Sequence, residues 1–103
     1  MEDEIKDIAN FDRLIHEPAR LAIMAVLSAC ESAEFAYLLI ATGLSKGNLS
    51  AHLKKLEKGG YVAITKRFKG SYPNTSCALT AEGRRAFNAY RKQYLALARH
   101  LEE

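Results

Sequence analysis

The chain has 103 residues, with 15 Lys and Arg against 12 Asp and Glu, a formal net charge of +3, no Trp and two Cys. That length holds one ordinary domain and excludes a large multi-part enzyme, and 49% hydrophobic with 26% charged residues is globular rather than disordered composition. The longest apolar runs, Leu21 to Leu27 and Phe35 to Ala41, are seven residues each, against the roughly 20 a bilayer-spanning helix needs. The acidic opening Met1-Glu2-Asp3-Glu4 has the wrong sign for a signal peptide, and Cys30 and Cys77 make neither a disulfide framework nor a zinc ligand set. A reduced, cytoplasmic protein without membrane association is expected.

In chain order, Ile5, Ile8, Phe11 and Ile15 recur at near-helical spacing, predicting a short amphipathic helix that fades near Glu17. Pro18 suits the first turn of a second helix, where its missing N–H costs nothing. The run to Cys30 is apolar nearly all round, as a buried central helix should be. Glu31-Ser32-Ala33 is a polar break, and Phe35 to Thr42 makes a third helix that Gly43 ends in the left-handed conformation. Ser45 is a good N-cap for the fourth, with Leu44 placed to staple onto Leu49. Leu49, His52, Leu53 and Leu56 share one face of that helix; Gly47, Ser50, Ala51, Lys54, Lys55 and Lys58 share the other, until Gly59-Gly60 stops it. The period then changes: Tyr61 to Thr65 and Thr75 to Leu79 read as strands, joined by a long basic loop, Lys66 to Asn74. Thr80 caps a last helix with Glu82 in its first turn, along which Phe87, Tyr90, Tyr94, Leu97 and Leu101 form an a/d seam.

The charge is divided along the chain. Residues 1–17 hold six acids and two bases, whereas residues 45–74 hold seven bases and a single acid, Glu57. The basic excess coincides with the two-faced helix and the hairpin, which points to a polyanion partner there rather than a merely solvated surface. Gly47, Ser50 and Ala51 make the helix slim enough on its outer face for a DNA major groove about 12 Å wide. Lys46, Lys54 and Lys55 then lie within reach of phosphates, and Asn48 and Ser50 within reach of base edges or sugar-phosphate oxygens. Lys66, Arg67 and Lys69 in the hairpin are placed to follow the backbone beside an adjacent groove.

Three helices followed by a hairpin, with the basic helix directly before it, is the order of a winged helix-turn-helix: mainly α with a β-hairpin wing. The stretches Leu14-Ile15-His16-Glu17-Pro18-Ala19-Arg20-Leu21-Ala22-Ile23 and Gly43-Leu44-Ser45-Lys46-Gly47-Asn48-Leu49-Ser50-Ala51-His52-Leu53-Lys54-Lys55-Leu56-Glu57 carry a resemblance. With Gly60-Tyr61-Val62 and Leu79-Thr80-Ala81-Glu82-Gly83-Arg84, they resemble the winged-helix transcriptional regulators of the MarR/ArsR superfamily, above all the small prokaryotic stand-alone DNA-binding domains. The resemblance runs over about residues 11 to 101 and implies a homodimer that binds operator-like duplex DNA. The chain departs from it at Ser71-Tyr72-Pro73-Asn74, a wing tip that in such proteins is often richer in Arg or Lys.

One domain over 1–103 is expected, with an N-terminal helix at 1–15, a winged core at 18–80 and a dimerisation helix at 81–101. The last helix is roughly 30 Å long at 1.5 Å per residue, more than so small a domain can cover. Phe87, Tyr90, Tyr94, Leu97 and Leu101, helped by Ile5, Ile8 and Phe11, are therefore the expected dimer contacts. His52 is expected to pack or to anchor its helix rather than to read bases. His16 and His100 lie at element ends and imply no metal, and Cys30 and Cys77 read as buried thiols. No phosphate-binding glycine loop or Ser/His/acid motif is present, so neither enzymatic activity nor a cofactor is expected, and no residue set specifies a small-molecule effector. The rival from another class is a winged-helix protein-interaction module that never touches DNA; an apolar or acidic face on the fourth helix would have favoured it.

Overall fold

The computed structural model describes residues 2–102. Its elements are α1 (Glu2–Asp7), a 3-10 turn (Ile8–Asn10), α2 (Pro18–Ser28), β1 (Ala33–Glu34), α3 (Phe35–Thr42), α4 (Lys46–Lys58), β2 (Val62–Lys69), β3 (Tyr72–Leu79) and α5 (Ala81–Leu101). The fold is mostly helical with a small three-stranded antiparallel sheet, a winged helix.

The first helix is shorter than its apolar spacing predicts. The Asp12 carboxylate accepts hydrogen bonds from the backbone N–H groups of Leu14 (2.9 Å) and Ile15 (3.3 Å), offering the chain a local turn in place of a helix. Phe11 and Ile15 still reach the core from that turn. Pro18 opens α2 as expected, and Glu17 is its N-cap, accepting from the Arg20 N–H at 2.8 Å. That bond, with help from the charge of the Arg20 guanidinium, holds the Glu17 carboxyl below the usual carboxylate range. The helix stops at Ser28 rather than Cys30, and only Ile23, Met24 and Leu27 of it are fully buried, a stripe rather than a whole circumference.

Ala33 and Glu34, within and beside the expected polar break, form a third strand. They pair antiparallel with Cys77 and Ser76, so the sheet order is β1-β3-β2. The hairpin is also more regular than its composition suggests. All eight pairs from Val62↔Leu79 to Lys69↔Tyr72 are made, and only Gly70 and Ser71 are left to turn the chain. Gly70 has φ +63° and Ser71 does not enter the positive region, the pattern of a type II′ turn matched to the strand twist. The expected basic loop at 66–74 is thus a regularly paired ribbon. Leu49, Leu53 and Leu56 from α4 join Leu38, Leu27, Met24 and Val62 in one core beneath it.

Two ties join the wing's base to the rest of the chain. Thr80 accepts from the Gly83 N–H at 2.9 Å, capping α5, and donates to the Gly60 carbonyl at 2.6 Å. The Tyr61 hydroxyl donates to the Asp12 carboxylate, which with burial pushes the phenol up to about 12 from 10. A raised folded-state value contributes stability that is whole below pH 10 and is lost as the pH climbs through about 12. Tyr61→Phe is expected to cost about 1–2 kcal/mol at neutral pH. Absorbance titration at alkaline pH should lose its latest-ionising tyrosine in that variant; loss of a tyrosine that ionises near pH 10 instead would show that the bond does not hold in solution.

The seam on α5 is divided between two environments. Phe87 and Tyr90 are 7% and 2% exposed, stacked on one another at 6.4 Å and covered by their own chain, and Phe11 (4% exposed) meets Tyr90 edge-on at 5.4 Å. These three expected dimer contacts are used inside the monomer, because the Asp12 turn brings Phe11 back onto α5. The same stripe continues past the body as Tyr94 and Leu101, 48% and 72% exposed.

Candidate nucleic-acid interface

The recognition helix α4 is set up by its ends and its buried stripe. Gly43 takes φ +70° after α3, a conformation that favours glycine, and Ser45 caps α4 by accepting from the Asn48 N–H at 3.2 Å. Leu49, Leu53 and Leu56 fix the helix on the core. Lys46, Gly47, Asn48, Ala51, Lys54, Lys55 and Lys58 are left exposed, and Ser50 is half-buried on the wing-side flank. Nothing lies within 4 Å of where a Gly47 Cβ would stand, so the backbone there is open to a close approach. Lys55 and Lys58 in the last turn also oppose the negative end of the helix dipole.

His52 acts as an anchor, and its partner is a side chain the sequence did not single out. The Arg20 guanidinium has only donors, so the His52 Nδ1, 3.2 Å from Arg20 Nη1, is the acceptor; Glu17 stands 3.9 Å away on the same nitrogen. Arg20 also donates to the backbone carbonyls of Leu14 (2.6 Å) and Arg13 (3.4 Å). One guanidinium thus joins the 12–17 turn and α2 to the recognition helix and sets its rotation. The signal available in sequence was only that Arg20 lies in one of the stretches carrying the family resemblance.

Ser50, Lys54 and Glu57, at i, i+4 and i+7 on α4, face Ile64, Lys66 and Thr75 of the wing across an open groove of about 610 Å³. The structure therefore brings together Ser50, Lys54 and Lys66. It does not bring Arg67 and Lys69 to them. Strand side chains alternate between faces, and Lys66 shares the groove face with Val62 and Ile64, so Arg67 and Lys69 lie on the other. Lys69 there contacts Glu34 at 3.1 Å, and hydrogen bonds from Lys69 and Asn74 hold the Glu34 carboxyl below its usual range. Both partners are exposed, so the pair holds Lys69 only weakly. Among the described residues no three His, Cys, Asp or Glu side chains gather to hold a metal ion. Cys77 is buried, its thiol pushed up to about 11 by desolvation, and Cys30 is half-buried.

A capped, outward-facing basic helix followed by a two-stranded ribbon defines a winged-helix nucleic-acid-binding domain. The sequence profile of the family described as "Winged helix DNA-binding domain" matches residues 19–97, and the chain belongs to that family. An uncharacterised protein of Methanocaldococcus jannaschii is 36% identical over 90 residues, 87% of this chain and 98% of its own length. A transcriptional regulator homologue from Pyrococcus horikoshii superposes with a TM-score of 0.87 at 27% identity, over 98% of this chain and 99% of the other. A transcriptional regulator of the MarR family from Enterococcus faecalis gives 0.78 at 21% identity, over 95% and 88%. The fold is that of the MarR-type transcriptional regulators. No described helix is long and apolar enough to cross a membrane.

Proposed function

We propose that this chain is a homodimeric, sequence-specific double-stranded DNA-binding protein that regulates transcription in the cytoplasm, as a repressor that occludes the site it covers and with no catalytic step. The observation that carries the reading is the outer flank of α4: small or polar at Gly47, Asn48 and Ala51, cationic at Lys54, Lys55 and Lys58, and uncovered. Such a flank fits a major groove, with the lysines at its phosphate edges. A basic surface of this kind argues against a protein-interaction module of the same fold, which an apolar or acidic face would have favoured.

The second copy is supported by apolar surface concentrated where α1 packs on α5: Ile5, Ile8, Tyr94, Leu95 and Leu101 are all exposed. Leu95, absent from the a/d pattern, widens that surface. A two-fold pairing through it presents two copies of α4, with half-site centres about 34 Å apart. In-vitro selection from a random duplex pool is expected to return an inverted repeat with that spacing. Tyr94→Glu with Leu101→Glu should sediment as a monomer and lose affinity for the selected site. Recovery of an unrepeated motif, or a monomer before substitution, would overturn the dimer; no enrichment at low salt would overturn DNA binding.

A further inference from the structure

We propose that the wing carries an apolar wedge one pair short of its turn, Phe68 with Pro73, which enters the minor groove of the bound duplex and opens a base step there; this rests on the DNA-binding reading above. Phe68 is 75% exposed at the outer end of β2, and Pro73, also exposed, is its direct cross-strand partner. Directly paired side chains sit close enough to act as one surface. Pro73 is tolerated because β1 pairs only with Ser76 and Cys77, so β3 has no second neighbour at that point. The turn at Gly70-Ser71 closes the ribbon one pair beyond the wedge, after Lys69↔Tyr72.

Alternation decides which way the wedge faces. Val62, Ile64, Lys66 and Phe68 share one face of the ribbon, and Ile64 and Lys66 on that face line the groove opposite Lys54. A phosphate strand seated in the groove meets Lys54 from one side and Lys66 from the other, two cations against the single Glu57 carboxylate that also lines it. At about 3.3 Å per residue, Phe68 lies some 7 Å further out than Lys66. A minor groove is about 6 Å wide, so that step carries the ring from the phosphate strand into the adjacent minor groove. Tyr72 is equally exposed but lies on the opposite face, paired with Lys69 beside Glu34.

The chemistry favours base edges over phosphate. A phenyl ring offers a phosphate nothing, whereas Phe and Pro are among the side chains that insert between base steps and unstack them. Lys66, two residues before the ring on the same face, supplies the attraction that holds it against the duplex. Pyrimidine–purine steps open most easily, so the wedge adds preference at positions α4 does not reach.

The probes are duplexes of about 30 base pairs, one with central TpA steps carrying 2-aminopurine and one with a stiff A-tract. The unaltered protein is expected to raise the 2-aminopurine fluorescence and to prefer the TpA duplex. Phe68→Ala should bind it about tenfold more weakly, give no fluorescence rise and keep the salt dependence of binding, while Phe68→Leu retains part of both. At so exposed a position the melting temperature should not move. If Phe68→Ala binds both duplexes as the parent does, with the same fluorescence, the wedge is overturned and DNA binding stands. A Phe68→Ala protein that changes oligomeric state instead would assign the ring to a second copy and overturn the wedge. If the parent binds neither duplex at low salt, the DNA reading fails and the wedge with it.

Discussion

Lys54→Ala combined with Lys55→Ala is expected to weaken binding to every duplex at least tenfold, while the protein folds as before. The two side chains leave α4 on different flanks. Lys54 is on the wing side, in the groove with Lys66, and Lys55, one residue on, is turned about 100° toward the far side. A helix lying in a major groove is bordered by two phosphate strands, so the pair straddles it. Removing both takes two phosphate contacts from each protomer and four from a dimer, which should reduce the slope of log affinity against log salt by about 3–4. Both residues are exposed and belong to no described ion pair, so the folding cost is limited to the few tenths of a kcal/mol that Lys55 contributes at the helix's negative end. Asn48→Ala should act differently, changing the ranking of duplexes more than the mean affinity. Fluorescence anisotropy at several salt concentrations separates the two. An unchanged slope for the double variant, or losses confined to particular sequences, would mean that the lysines do not neutralise phosphate.

The parts of this surface legible in the sequence were those written in a single helical period. Leu49, Leu53 and Leu56 at i, i+4 and i+7, a serine cap and a glycine stop fix α4 and therefore its basic flank, and the structure places each as the spacing requires. What the sequence concealed depends on contacts between distant residues. β1 is two residues long and shows no period; it becomes a strand only because Cys77 and Ser76 stand beside it. Gly70-Ser71 within a polar stretch looked like part of a long loop, and the pairing of Lys66 with Thr75 and Arg67 with Asn74 makes it a two-residue turn. That pairing separates Lys66 from Arg67 and Lys69, which composition had grouped together. Asp12 ended the first helix early, and the consequent burial of Phe11 against Tyr90 moved three apolar residues from the expected dimer surface into the monomer's core. Arg20 had no pattern to announce it, since its partners come from positions 13, 14 and 52.

Gly83→Ala is expected to be the most damaging of the small substitutions. Gly83 lies in the first turn of α5 and is buried. A Cβ built there overlaps the Tyr61 carbonyl oxygen and comes within 2.9 Å of that residue's carbonyl carbon and Cα. These are backbone atoms, and they are held on both sides: the Tyr61 N–H donates to the Leu56 carbonyl at 2.9 Å and the Tyr61 carbonyl accepts from Thr80 at 3.0 Å. Neither partner can retreat without breaking the C-terminal turn of α4 or the cap of α5. Alanine brings up to about 1 kcal/mol of better helix propensity, but overpacking against fixed backbone costs about 1–3 kcal/mol or more, and the displaced cap adds about 1. The net loss should be about 2–3 kcal/mol, a fall in Tm of roughly 10–20 °C for a domain of this size. Gly47→Ala is the matched control: it too is a helical glycine, but its added methyl meets nothing within 4 Å, so propensity alone should act and Tm should rise by a few degrees. Thermal unfolding followed by circular dichroism reads both. Shifts of the same sign in the two variants would show that α5 does not rest on the Tyr61 backbone, and with it would go the fixed angle between the wing's base and the last helix.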